Sequence, residues 1–121
     1  MQNRYKFIGG YDLVGRMFVY EEQMQRFNLS SAAIRDFATA IKKGDLERLT
    51  NQFQELEEQQ KTGLLNLYID YNDLWGNYFN IHAAIGYPID LAKYFGHEHI
   101  ANFIEEEKIK LTSVNISFKH K

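Results

Sequence analysis

The chain contains no cysteine and only one proline. The first absence excludes disulfides, thiolate nucleophiles and cysteine-based zinc sites, so stability has to come from packing alone. No window approaches the ~20 consecutive apolar residues that a membrane-spanning helix needs, and "MQNRYKFIGG" lacks the unbroken apolar run of a secretion signal. An excess of positive charge is missing too, with 14 Lys and Arg against 16 Asp and Glu. Without a basic field, nucleic acid is not an expected partner. Neither "FIGGYD" nor "GLLNL" has the glycine spacing of a phosphate cradle, and no Lys-Ser or Lys-Thr follows. The expectation from these absences is a cytoplasmic protein of one domain over residues 1–121, with no membrane contact.

Aromatic residues are abundant: eight Tyr, nine Phe and one Trp. A core of this size cannot take them all, and exposed Tyr and Trp offer stiff contact area at low entropic cost, as binding surfaces do.

Periodicity predicts a mainly helical chain. Residues 1–29 read as an arm and a helix: Tyr5 and Phe7 alternate with polar residues. Leu13, Met17, Tyr20, Met24 and Phe27 then fall on one helical face. Residues 30–60 read as a helical hairpin. Ser30 or Ser31 caps "AAIRDFATAIKKG", Gly44 gives a left-handed exit, and Asp45 caps "LERLTNQFQELEEQQ". Two helices joined only by Gly-Asp must double back on each other. Residues 61–86 read as an inserted helix and loop, with Leu64, Tyr68, Tyr71 and Trp75 at helical spacing. Residues 87–108 form a second hairpin, opened by Pro88 at a first helical turn and broken at Gly96. In residues 109–121, Val114, Ile116 and Phe118 alternate as in a strand, with "RYKFI" as the expected partner.

The second hairpin resembles the ankyrin repeat. Tyr87-Pro88-Ile89-Asp90-Leu91-Ala92 stands where that family has Thr-Pro-Leu-x-x-Ala, Gly96-His97 matches its turn, and Ile100, Phe103 and Ile104 match its second-helix core. "GDLERL" looks like the form seen in a capping repeat. The resemblance implies stacked helical hairpins with a short terminal β element, structural roles for Gly44, Pro88, Gly96 and His97, and function by protein binding. Gly44 and Gly96 lie farther apart than one repeat of about 33 residues, so residues 61–86 are a diverged repeat or an insertion.

Chemistry is sparse. His97 and His99 at a helix start point to different sides and suit a shared ion poorly. His82 sits in an apolar stretch with no nucleophile near it in sequence, and the acidic pairs read as solvated helix faces. No catalytic residue, metal or cofactor is expected. "LYIDYNDLWGNYF" stands out because it interleaves aromatics with carboxylates and carries no positive charge. The expected docking residues are therefore Tyr68, Tyr71, Trp75 and Tyr78 as anchors, with Asp70, Asp73, Glu105, Glu106 and Glu107 steering a basic partner. The expected function is that of an immunity or antitoxin protein, monomeric or weakly dimeric, which occludes the active site of a toxin such as a basic nuclease. An adaptor or effector module recruiting a cellular protein is the alternative.

Overall fold

A computed structural model describes residues 4–9, 16–73 and 82–119. Strands β1 (Tyr5–Ile8) and β2 (Arg16–Tyr20) are followed by helices α1 (Glu21–Arg26), α2 (Ser31–Lys43), α3 (Leu46–Glu55) and α4 (Glu58–Leu65). Strands β3 (Ile69–Asp73) and β4 (His82–Gly86) come next, then α5 (Pro88–Tyr94) and α6 (Glu98–Lys119). The fold is mainly helical, with the four strands forming an antiparallel sheet in the order β1-β2-β3-β4.

The sheet corrects three expectations. Of the helix expected over Leu13–Phe27, the described part from Arg16 onward is instead β2 running into the short α1, and Leu13 lies outside the described residues. Met17 and Val19 are buried while Phe18 and Tyr20 face the other way, so a period of two prevails over the 4-3-4-3 spacing. The inserted helix expected from Leu64 to Trp75 is likewise replaced. α4 ends at Leu65, and Leu67, Ile69 and Tyr71 then alternate into the core as the chain enters β3. Finally, the strand expected around Val114, Ile116 and Phe118 belongs to α6, which runs from Glu98 to Lys119. No Gly or Pro interrupts that stretch, and once started a helix adds one hydrogen bond for each residue it orders. β1 therefore takes β2 as its partner, with Tyr5 opposite Tyr20 and Ile8 opposite Met17.

The first elbow follows its local chemistry. The Ser30 hydroxyl accepts from Ala33 N at 3.0 Å. Gly44 leaves α2 at φ 70°, and the Asp45 carboxylate accepts from Arg48 N at 3.1 Å. Ile34, Phe37 and Ile41 on α2 meet Leu49 and Phe53 on α3 within one core. Pro88 opens α5, where the Asp90 carboxylate accepts from Tyr87 N at 2.9 Å. The core lies between the inner sheet face, carrying Ile8, Met17, Val19, Ile69 and Tyr71, and the helices.

The two elbows touch. His97 Nε2 donates to the Lys42 carbonyl at 2.9 Å and His99 Nε2 to the Gly44 carbonyl at 2.8 Å. A Cβ at Gly44 would lie 2.7 Å from His97 Nδ1, while one at Gly96 (φ 79°) would meet nothing within 4 Å. Gly44→Ala is therefore expected to combine left-handed backbone strain with a clash and to lose about 2 kcal/mol. Gly96→Ala carries the strain alone, about 1 kcal/mol. Urea midpoints of the two variants check the order, and equal losses would contradict the elbow contact.

Candidate docking surface

The outer face of the sheet follows from register. Residues on alternate positions of four paired strands form rows across the sheet. One row is all tyrosine: Tyr5 on β1 and Tyr20 on β2, then Tyr68 and Tyr87 in line with them where the chain enters β3 and leaves β4. The row beside it is Phe7, Phe18, Asp70 and Ile85. Seven of these eight side chains are aromatic or aliphatic, and none is a cation. The outer strands leave them open, with Tyr5 and Phe7 each 53% exposed, Ile85 61% and Tyr87 47%, while Phe18, Tyr20, Tyr68 and Asp70 on the middle strands are half-buried.

The tyrosines form a continuous ladder. Ring centroids are 4.7 Å apart for Tyr5–Tyr20 and 5.8 Å for Tyr20–Tyr68, both stacked, and 5.7 Å for Tyr68–Tyr87, edge to face. Phe7 and Phe18 lie 5.5 Å apart. Such pairs add about 0.5–1.5 kcal/mol beyond their area and hold the rings in place before any partner arrives. The Tyr5 and Tyr20 hydroxyls are 3.0 Å apart. The Tyr5 phenol is pushed above its ordinary range, chiefly by that hydrogen bond, then by desolvation and by the negative field of neighbours that include Asp70.

α1 rims the row. Gln23 donates to the Asn66 carbonyl at 3.2 Å and accepts from Tyr68 N at 3.1 Å, which fixes α1 against the start of β3. Between them lies a shallow groove of about 380 Å³ lined by Tyr20, Glu22, Gln23, Arg26, Tyr68 and Tyr87. Glu22 and Arg26 pair with each other across one helical turn. A second groove of about 490 Å³ runs along α2 and α3, where Asp36, Asp45, Glu47 and Glu55 outnumber Arg48.

The expected docking residues are divided. Tyr68 and Asp70 lie on the outer face. Tyr71, one residue beyond Asp70, faces the core with no exposed surface, and its hydroxyl accepts from Lys42 Nζ at 2.7 Å. Asp73 ends β3, opposite His82 of β4 in the register. Trp75 and Tyr78 lie outside the described residues. Glu105, Glu106 and Glu107 are on α6, where Glu107 pairs with Lys110 at 3.3 Å and Glu105 borders a separate groove with Ile89 and Ile109. The sequence reading did not expect Tyr5, Phe7, Phe18, Tyr20, Ile85 and Tyr87 beside Tyr68 and Asp70 on this face. The alternation of Tyr5 with Phe7 and of Phe18 with Tyr20 was the available signal.

Each histidine of the His97-x-His99 pair holds a backbone carbonyl, which accounts for both as parts of the joint between elbows. Among the described residues there is no cluster of three or more side chains suited to a metal ion. Nor is any helix among them long and apolar enough to cross a membrane. No family model matches the chain, and no curated protein or solved structure is found to be similar to it.

Proposed function

We propose that this chain is a protein-binding module without catalysis of its own, and that the outer face of its sheet is the surface that docks. One observation carries the reading: two adjoining rows of side chains, seven of them apolar or tyrosine, line one sheet face with no described helix over them, Tyr5, Phe7, Ile85 and Tyr87 exposed and the four between them half-buried. A patch this rich in tyrosine is what interface hot spots are made of, since each ring gives apolar area and a hydroxyl while losing few rotamers on binding. The scaffold beneath it is read as a degenerate, ankyrin-like pair of hairpins, supported by the His97 and His99 contacts between elbows. The particular reading is an immunity or antitoxin protein of the cytoplasm that covers the active site of a basic toxin. Its support is the small acidic chain and the density of aromatics. The adaptor reading shares the same surface and differs only in what the partner does once held.

A photo-crosslinking side chain tests the surface in living cells. Placed at position 87 it is expected to trap one discrete protein, and placed at the exposed Asn102 on α6 to trap none. Trapping at 102 but not at 87 would move the docking surface elsewhere. If the trapped protein is an active nuclease silenced at one-to-one stoichiometry, the immunity reading stands. A partner without toxic activity replaces it with the adaptor.

A further inference from the structure

Within the tyrosine row, one pair is placed for a covalent bond as well as for stacking. Tyr5 and Tyr20 stand directly opposite each other in the β1–β2 register. Their rings stack with centroids 4.7 Å apart and planes 29° from parallel, and their hydroxyls meet at 3.0 Å. Stacking and the hydroxyl contact together bring an ortho carbon of each ring, the one beside the phenol oxygen, next to its counterpart. A phenoxyl radical carries its unpaired electron on the oxygen and on the ortho and para carbons, and the para carbon of a tyrosine is blocked by its own side chain. The other pairs are set less well. Tyr20 and Tyr68 lie 5.8 Å apart, and Tyr68 meets Tyr87 edge to face at 82°.

We propose that Tyr5 and Tyr20 are a site of oxidative cross-linking, joined ortho carbon to ortho carbon as dityrosine when a haem peroxidase oxidises the chain with hydrogen peroxide. The cross-link requires nothing of a partner, so it stands apart from the docking reading. Tyr5 is 53% exposed, so the peroxidase takes the first electron there and the phenol proton goes to water. The Tyr5 oxygen, now a radical, takes the hydrogen atom of the Tyr20 hydroxyl along their 3.0 Å contact. Tyr5 is then a phenol again and loses a second electron and proton. Two phenoxyl radicals now face each other. Their ortho carbons form the bond, and the hydrogen on each of those carbons passes to the adjacent oxygen, which restores both rings. Over the whole step two phenols and one hydrogen peroxide give one dityrosine and two waters. The fold holds the pair in contact beforehand, which replaces a search through solution.

The product is a staple. β1 is the outermost strand on its side of the sheet, and three of its four residues are exposed. Segments with so little buried surface open ahead of the core. A bond from the first residue of β1 to the last of β2 closes residues 5–20 into a covalent ring, which limits how far β1 can leave the sheet.

The natural chain is treated with a haem peroxidase and limiting hydrogen peroxide, and the monomer is separated under denaturing conditions and cut with trypsin. Cleavage after Arg4, Lys6, Arg16 and Arg26 leaves Tyr5 and Tyr20 on separate peptides, which travel together only if linked. The expected result is that joined peptide as the leading cross-link of the monomer, two hydrogens lighter than its parts and carrying the blue fluorescence of dityrosine. Its yield per chain should not change when the protein is diluted about tenfold, as a reaction between groups held on one molecule requires. Tyr87→Phe should keep that yield. Amides of β1 should exchange with solvent about tenfold more slowly in the linked monomer than in the untreated one. A leading link between any other two tyrosines, or dityrosine found only between molecules, would overturn the site. A link between Tyr5 and Tyr20 that left exchange in β1 unchanged would overturn its role as a staple.

Discussion

Tyr71→Ala is expected to lose about 4 kcal/mol of folding stability, near the value for emptying a buried aromatic site, while Tyr87→Ala loses only about 1 kcal/mol, the worth of its edge-to-face contact with Tyr68. Tyr71 has no exposed surface, its ring meets Phe95 edge-on at 5.4 Å, and its hydroxyl accepts from Lys42 Nζ at 2.7 Å. The carbonyl of that same Lys42 accepts from His97 at 2.9 Å. Lys42 thus joins three parts: the sheet through Tyr71, the first elbow through its own backbone, and the second elbow through His97. Removing the ring opens a cavity and also strips this junction of its hydroxyl. Tyr71→Phe keeps the ring and is expected to lose about 1 kcal/mol, the usual size of one hydrogen bond. Urea unfolding followed by far-ultraviolet circular dichroism gives all three values. If Tyr71→Ala folded as well as Tyr87→Ala, the inward face of β3 would be misassigned.

These tyrosines also show why the helices were easier to read than the site. Both elbows rest on signals that lie within a few residues of one another: the hydroxyl of Ser30, the left-handed Gly44, the carboxylate of Asp45, and Pro88 ahead of Asp90. Such local hydrogen bonds are written into neighbouring letters. The sheet is not local. β2 pairs with β3 across some fifty residues, putting Phe18 opposite Asp70. Met17 and Tyr20 fit a helical stripe as well as they fit opposite faces of a strand, and only the partner strand decides between them. The same ambiguity split the expected docking residues. Tyr68 and Tyr71 share a helix face, but an odd separation sends them to opposite sides of an extended chain. Tyr68 and Asp70 stay together because two residues separate them. At the C-terminal end the alternation of Val114, Ile116 and Phe118 was a short signal against an unbroken run of helix from Glu98.

Gly63→Ala should destabilise the protein by about 2 kcal/mol even though alanine is the better helix former by about 1 kcal/mol. Gly63 is buried in α4, and a Cβ there would lie 2.3 Å from the Cβ of Phe27 and 2.5 Å from its Cγ. Those atoms are anchored to the turn after α1, where Asn28 sits at φ 55°, so the ring cannot swing clear and α1 must move. Two second-site changes separate this cause from a general loss of packing. Phe27→Ala keeps the offending Cβ and should not rescue Gly63→Ala, whereas Phe27→Gly removes it and should recover part of the loss. Displacing α1 also reaches the tyrosine row, because Gln23 of α1 holds the backbone of Tyr68 and Asn66. Where Gly63→Ala still folds, its affinity for the protein trapped at position 87 should therefore fall severalfold, with shifted amide signals at Tyr68. Unchanged affinity alongside the lost stability would mean that the tyrosine row holds its shape without α1 beside it.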